Sequence, residues 1–250
     1  MLRPLAFALA LGPTAVHAAC THDAMLVFDG SASMGELGFD GEVRRREDGS
    51  VDRRSLLGQR RIDEARTALA RTLPAVDGIR RVGLLTYGPG PEGSCESIRL
   101  RFAPIDAPSG PVLDAIDRFQ PLGMTPLADA VEAGAEALSY RERPAVVVLL
   151  TDGNDTCGGA PCVRGARLAA EARDLTIHVI GFGRTQETAA GDPLARGRGL
   201  DESEIRCLSD ATGGIFAIAD TVDDLTAALG ETLGCPVVGH GRARPGREAG

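Results

Sequence analysis

The sequence predicts an α/β fold, namely a doubly wound, Rossmann-like sheet of six mostly parallel strands with helices on both faces. Short apolar runs alternate along the chain with segments whose apolar residues recur at a helical period. This alternation is typical of a parallel sheet covered by crossover helices. One run, SIRLRFAPI, instead alternates apolar with charged residues. That pattern favours an edge strand, which we expect to be antiparallel.

In the first half of the chain, the uninterrupted apolar run AMLVFDG predicts a central strand. Residues 60–73 predict a helix, because Ile62, Ala65, Leu69 and Leu73 share one helical face. RVGLLTYG predicts the second strand, SIRLRFAPI the edge strand, and PVLDAIDRF a short helix.

The second half repeats the strand-helix alternation. It opens on a helix that starts at Pro126, with Thr125 expected as its N-cap. The remaining elements follow in the order AVVVLLTDG (strand), VRGARLAAEARD (helix), LTIHVIGFG (strand), ESEIRCLSDATG (helix), GIFAIA (strand) and TVDDLTAALGETL (helix). His178 lies inside an apolar strand, where we expect a half-buried structural role.

Residues 1–18 have the pattern of a cleaved secretory signal peptide, with a positive charge at Arg3, an apolar run and the small residue Ala18 at its end. The alternatives are a buried N-terminal helix and a lipid anchor at Cys20, which His17 disfavours because a lipobox wants an aliphatic residue there. The apolar run is too short to span a bilayer, and no later stretch is long enough. We therefore expect an exported domain, either periplasmic or secreted.

The net charge and the choice of basic residues exclude some kinds of partner and some catalytic mechanisms. The formal net charge of -8 argues against nucleic acid as the main partner. All 27 basic residues are arginine, so no lysine-dependent mechanism is available.

Three loops at the predicted carboxyl edge of the sheet carry candidate ligands for a cation. Asp29, Ser31 and Ser33 follow the first strand, Thr125 precedes a helix, and Asp152 follows the strand AVVVLLT. Ligands of open α/β sheets bind at this edge. Alone, the DGSAS string is also compatible with a turn in which Asp and Ser bond nearby backbone. Together, the three loops favour a binding site.

Two carboxylates and three hydroxyls form an all-oxygen set that suits Mg²⁺, Mn²⁺ or Ca²⁺ rather than zinc or copper. Two carboxylates only balance the charge of a divalent ion, which keeps its Lewis acidity and an open coordination position. An external carboxylate is the natural ligand for that position, so we expect a protein partner that presents one. The open octahedral position favours Mg²⁺.

These residues, Asp29-Gly-Ser31-Ala-Ser33 with Thr125 and Asp152, resemble the metal-ion-dependent adhesion site (MIDAS) of the von Willebrand factor A (VWA) domain family. The resemblance implies that Ser31, Ser33 and Thr125 coordinate the ion and that Asp29 and Asp152 hold it directly or through water. It also implies a non-enzymatic domain for adhesion or protein interaction over residues 19–235. The segment TDGNDTCGGAPC resembles a bacterial exported subgroup of that family, which implies a bacterial periplasmic or secreted protein.

Three other segments carry separate expectations. The charged insertion 36–59 lies near the cation site, and both it and the excursion 185–199 suit either a binding role or a solvated loop. Residues 236–250 are expected to form a flexible basic tail. Asp155 is expected to cap the helix that follows it or to face solvent.

Six cysteines in an exported chain predict up to three disulfides. The resemblance makes a Cys20–Cys235 bond between the termini plausible. For the other four we favour Cys162–Cys207, because neighbouring crossover helices would carry them, together with Cys95–Cys157. The rival scheme pairs Cys157 with Cys162 and Cys95 with Cys207. Zinc at Cys157 and Cys162 is disfavoured, since their spacing is wider than a zinc knuckle.

The enzyme alternative is a Mg²⁺-dependent phosphatase or phosphotransferase of the haloacid dehalogenase type, because FDGS and TDGND loosely resemble its acidic loops. That chemistry wants a second acid where this chain has Ser31, and a lysine, which the chain lacks. Serine hydrolase and dinucleotide-binding motifs are absent from the sequence.

Overall fold

A computed structural model describes residues 22–36, 60–90, 93–183 and 200–234. Within these ranges the strands are β1 (Ala24–Asp29), β2 (Val82–Tyr87), β3 (Arg99–Ile105), β4 (Ala145–Thr151), β5 (Leu175–Phe182) and β6 (Phe216–Ala219). The helices are α1 (Arg61–Thr72), α2 (Ser109–Asp117), α3 (Leu127–Ala137), α4 (Pro161–Glu171), α5 (Glu202–Thr212) and α6 (Val222–Leu233). Short 3₁₀ helices cover Ala32–Gly35 and Leu73–Ala75.

The strands form one sheet in the order β3-β2-β1-β4-β5-β6. β1 lies at its centre and pairs in parallel with β2 and β4, and all six of its residues are buried. β3 pairs antiparallel with β2 at the edge and exposes most of its side chains. The predicted six-stranded fold, its central first strand and its antiparallel edge strand are thus confirmed.

Two apolar layers cover the sheet, because alternate side chains of each buried strand point to opposite faces. Leu26 and Phe28 pack with side chains of α1, α2 and α6 on one face. Met25 and Val27 pack with side chains of α3, α4 and α5 on the other. This double covering explains why the central strands are apolar without interruption.

The order of the strands reverses at β1, because the chain passes from β1 to β2 on one side and later to β4 on the other. At such a switch point the loops leave the sheet in opposite directions and open a crevice at the carboxyl ends of the strands. Asp29 is the last residue of β1, and Asp152 directly follows β4. The fold therefore delivers both aspartates to one crevice.

The described residues at the two ends of the insertion 36–59 lie next to each other. The amide of Arg61 donates a 3.0 Å hydrogen bond to the carbonyl oxygen of Glu36, so the residues flanking the insertion are fastened together. The expectations for residues 1–18, 37–59, 185–199 and 236–250, and for the bond between Cys20 and Cys235, concern segments outside the described residues. Glu36 is described, and its carboxylate is about half-exposed.

His178 has the structural role predicted for it. Its Nδ1 accepts a 3.0 Å hydrogen bond from the amide of Ile215, which joins β5 to the segment before β6. Burial, reinforced by the charge of Arg80, lowers the pKa of His178 to about 4. The imidazole is therefore neutral at physiological pH.

In the part of the chain that the structure describes, no helix is both long and apolar enough to cross a membrane.

Candidate metal centre

The loop after β1 is built around the Asp29 carboxylate, which is fully buried. Its Oδ1 accepts a 2.8 Å hydrogen bond from the amide of Ser31. The amide of Gly30 donates to the carbonyl oxygen of Tyr87 at 2.8 Å, which holds the loop against the end of β2. The short 3₁₀ helix then turns Ser33 back towards Ser31, and their hydroxyl oxygens lie 3.0 Å apart.

The second carboxylate joins this cluster from β4. The hydroxyl of Ser33 donates to Oδ1 of Asp152 at 2.7 Å. Thr151, the residue before Asp152, donates from its hydroxyl to Oδ2 of Asp29, also at 2.7 Å. A chain of hydrogen bonds thus runs from Asp29 through Ser31 and Ser33 to Asp152. These are four of the five residues that the sequence singled out.

Thr125 lies in the third loop, which backbone hydrogen bonds attach to the other two. The amide of Ala32 donates to the carbonyl oxygen of Gly123 at 3.2 Å. Thr125 donates its own amide to the hydroxyl of Thr156 at 2.8 Å, and its carbonyl oxygen accepts from the Thr156 amide at 3.0 Å. Thr125 is buried, 5% exposed, at the junction of the three loops.

Two predictions about helix capping were wrong. The N-cap position of α3 is Pro126 rather than Thr125, and it makes no side-chain capping bond. Asp155 supplies the cap instead, because its Oδ2 accepts from the amide of Ala128 at 2.9 Å. Asp155 therefore caps the preceding helix α3 and not the following one, since the loop after β4 folds back over the start of α3.

The two aspartates sit in an environment that penalises negative charge. Burial raises the pKa of Asp29, although hydrogen bonds from Ser31 and Thr151 oppose that rise. Burial, together with the charge of Asp29, raises the pKa of Asp152 to about 7, against the opposing effect of Arg61. Two buried carboxylates that raise each other's cost of ionisation favour the binding of a compensating cation.

The sequence did not identify Arg61 and Thr151 as part of this site. Nη1 of Arg61 lies 2.9 Å from Oδ2 of Asp152 in a buried ion pair. Thr151 carries the hydrogen bond to Asp29 described above. The TDGND string did place Thr151 beside Asp152, but nothing in the pattern around Arg61 indicated that its side chain turns towards the sheet edge.

The donor set and its spacing fit a small divalent cation. With Mg²⁺–oxygen bonds of about 2.1 Å, neighbouring ligands of an octahedral ion lie about 3 Å apart. The Ser31–Ser33 and Ser33–Asp152 oxygen separations, 3.0 and 2.7 Å, are close to that spacing. Among the described residues, no three His, Cys, Asp or Glu side chains form a metal-binding group. A cation at this point would therefore depend on the hydroxyls as well as the two aspartates.

Two disulfides flank the site, and both favoured pairings are confirmed. Cys95–Cys157 ties the β2–β3 connection to the loop that carries Asp152, and Cys162–Cys207 joins α4 to α5. The rival pairing and the zinc alternative at Cys157 and Cys162 are therefore wrong.

The class of protein follows from this fold and sequence. Residues 24–154 match the family model described as von Willebrand factor type A domain. The chain belongs to that family.

Two curated relatives come from Bacillus subtilis (strain 168). The protein YwmC is 33% identical over 91 residues, an alignment that covers 36% of this chain and 39% of YwmC. YwmD is 32% identical over 71 residues, covering 28% of this chain and 32% of YwmD. The chain thus spans less than two fifths of the length of either relative.

Solved structures share the fold at low sequence identity. A von Willebrand factor type A protein from Catenulispora acidiphila has a TM-score of 0.56 at 17% identity, with 86% of this chain and 42% of that chain covered. Proximal thread matrix protein 1 from the mussel byssus, solved with a zinc-occupied MIDAS motif, has a TM-score of 0.52 at 20% identity, with 87% and 46% covered. The PilB minor pilin from Streptococcus sanguinis has a TM-score of 0.53 at 15% identity, with 86% and 61% covered.

Proposed function

We propose that this chain is an exported, non-enzymatic VWA domain that binds a divalent cation and, through it, an acidic group of a protein partner. The ligands of the cation are Asp29, Ser31, Ser33, Thr125 and Asp152, and Mg²⁺ is the favoured ion, ahead of Mn²⁺ and Ca²⁺. Membership of the VWA family supports a role in adhesion or protein interaction.

One observation carries the proposal. The buried Asp152 carboxylate accepts from the hydroxyl of Ser33, which lies 3.0 Å from the Ser31 hydroxyl, and the amide of Ser31 holds the buried Asp29 carboxylate beside them. The hydroxyl–hydroxyl and hydroxyl–carboxylate separations, 3.0 and 2.7 Å, suit an octahedral ion. Arg61 compensates one of the two buried carboxylates, and the remaining negative charge is costly unless further positive charge binds. When bound, a divalent cation supplies that charge and a Lewis-acidic position for an external oxygen ligand.

Export is supported by two features of the chain. Residues 1–18 have the composition of a signal peptide, and the described domain carries two disulfides. Disulfides form and persist in oxidising compartments such as the bacterial periplasm or the cell exterior. No observation favours the phosphatase alternative, because Ser31 occupies the position where that chemistry wants an acid.

Calorimetric titration of chelator-treated, dialysed protein with MgCl₂, MnCl₂ and CaCl₂ tests the cation site. We expect one site per chain. Asp29→Ala and Ser33→Ala should each weaken binding, Asp29→Ala by at least about tenfold because a charged ligand is lost. Asp106→Ala is the control, since that side chain is 86% exposed on the loop after β3. Failure of all three ions to bind, or equal affinity of wild type and Asp29→Ala, would refute the cation site.

The partner is tested separately with immobilised protein exposed to an extract of the periplasm or cell surface. Capture should occur in Mg²⁺, be lost in chelator, and be lost with Asp29→Ala even in Mg²⁺. Capture that persists in chelator would show that any partner binds away from the cation.

A further inference from the structure

Arg61 brings a positive charge to the cation site from α1. Its guanidinium Nη1 donates to Oδ2 of Asp152 at 2.9 Å, with the Arg61 side chain 10% exposed and the Asp152 side chain 0% exposed. The residue begins α1 in sequence but crosses to the end of β4. An arginine this deeply buried against a candidate ligand is not explained by surface solubility.

The two carboxylate oxygens of Asp152 have different partners. Oδ2 faces Arg61, whereas Oδ1 accepts from the hydroxyl of Ser33. Because the guanidinium fixes one oxygen, the carboxylate is oriented with the other towards the hydroxyl cluster. Arg61 therefore holds Asp152 in the orientation that a cation would need.

Gly183, directly after β5, lies beside the guanidinium. It has a φ of +115°, which would strain any side chain there, and a Cβ at this residue would contact Nε of Arg61 at 3.4 Å. The ends of β4 and β5 and the start of α1 thus meet around the guanidinium.

The charge count shows what Arg61 adds. Asp29, Asp152 and a divalent ion sum to zero, so these groups together with Arg61 carry +1. Among the described residues, Glu36 also lies near the guanidinium, with Oε2 3.6 Å from Nη2 of Arg61. Its side chain is 47% exposed, so solvent weakens its effect at the ion.

We infer that Arg61 is a positioning residue that orients Asp152 and sets a net positive charge at the loaded site, so that this site favours carboxylate ligands. The inference rests on the proposed function. It assigns to one residue outside the predicted ligand set a share in selecting an acidic partner.

The test uses Mn²⁺ as the cation and sodium glutarate as the carboxylate probe. At saturating Mn²⁺, glutarate that enters the coordination sphere displaces water and lowers the water-proton relaxation rate, which gives its affinity. Arg61→Gln should weaken glutarate binding by at least about threefold, because one charge beside the ion is lost in a medium less polar than water. Glutamine keeps an N–H donor for Asp152, which favours retention of the fold.

Two further variants separate charge from structure. Arg61→Lys keeps the charge and should retain glutarate affinity within about twofold of wild type, since the effect acts at a distance. Arg71→Gln removes the same charge from the exposed end of α1, where Arg71 pairs with Asp223 at the surface. This variant should bind glutarate with the affinity of wild type. The relaxation rate of the Mn²⁺ complex without glutarate should be the same in Arg61→Gln and wild type.

Two results would overturn the inference, namely unchanged glutarate affinity in Arg61→Gln and equal losses in Arg61→Gln and Arg61→Lys. An altered relaxation rate before glutarate is added would overturn the charge effect, because the ligands of the ion would then have changed as well. If wild-type protein binds no Mn²⁺, the proposed function fails as well. If it binds Mn²⁺ and only the Arg61 variants behave otherwise than expected, the inference alone fails.

Discussion

The hydroxyl of Thr151 donates a 2.7 Å hydrogen bond to Oδ2 of Asp29, and so joins the ends of the two central strands across 122 residues of sequence. The bond lies in the buried part of the crevice, where an unpaired carboxylate oxygen would be costly. It fixes the Asp29 carboxylate on the side opposite the Ser31 amide, so that both of its oxygens are held before any ligand arrives.

Thr151→Val removes this donor at nearly constant volume. We expect the free energy of unfolding to fall by about 1–3 kcal/mol, because a buried carboxylate oxygen loses its partner. Cation affinity should fall as well, since Asp29 is then less well oriented. Denaturant unfolding and calorimetry measure the two effects.

Thr67→Val is the control for this change, because the Thr67 hydroxyl donates to the carbonyl oxygen of Asp63 within α1, away from the carboxylates of the site. It should alter stability by no more than about 0.5 kcal/mol and leave cation affinity as it was. Equal effects of the two substitutions would contradict the role given to Thr151.

Gly88 should be essential to the shape of the Asp29 loop. It has a φ of +100°, and a Cβ there would lie 2.2 Å from the amide nitrogen of Ser31. Gly88→Ala must therefore displace the backbone that carries the candidate ligands. We expect a loss of stability above about 3 kcal/mol and loss of measurable cation binding.

Gly78 offers a matched comparison. Its φ is +72°, but a Cβ there would have nothing within 4 Å. Gly78→Ala should cost only about 1 kcal/mol of backbone strain and keep the cation site. Thermal unfolding and metal titration of both variants check the prediction, which is wrong if Gly88→Ala still binds the cation like wild type.

The two disulfides should differ in their effect on the site. They join residues 62 and 45 positions apart, so the chain-entropy model gives each about 4 kcal/mol of stabilisation. Only Cys95–Cys157 anchors the loop that follows Asp152. Replacing Cys95 and Cys157 with alanine should lower both stability and cation affinity, whereas replacing Cys162 and Cys207 should lower stability alone.

Denaturant unfolding and cation titration of the two double variants make this comparison. We expect the two double variants to differ in cation affinity and to lose similar amounts of stability. A similar loss of cation affinity in both double variants would show that general loosening of the domain, rather than the Cys157 anchor, controls the site.

His178, which lies on β5 and is not part of the cation site, should make the free energy of unfolding depend on pH. Its pKa is lowered to about 4, whereas an unfolded histidine titrates near 6.5. The unfolded chain therefore takes up a proton first, and stability is lost as the pH falls from about 6.5 to about 4. The full loss from this residue is about 3 kcal/mol.

His178→Asn removes this titration while its side-chain oxygen can still accept from the amide of Ile215. The free energy of unfolding, measured between pH 7 and pH 4.5, should fall less steeply in the variant than in wild type. Parallel curves would contradict the assignment of this pH dependence to His178.

The sequence by itself determined the fold and the placement of the candidate ligands. Apolar runs and helical periods report local burial, and the alternation of strand and helix leaves few arrangements of the sheet. Because loops after parallel strands meet at one edge, Asp29 and Asp152 could be assigned to one crevice without coordinates. The same reasoning paired Cys162 with Cys207, since their helices were expected to be neighbours.

Only the tertiary structure decided which side chains complete the site. Arg61 reaches Asp152 across 91 residues of sequence, and Asp155 caps α3 rather than the helix that follows it. Such contacts depend on how loops cross at the sheet edge, and neither periodicity nor local propensity records that. The sequence could therefore place an acidic, hydroxyl-rich crevice, whereas the folded chain alone showed that an arginine shares it.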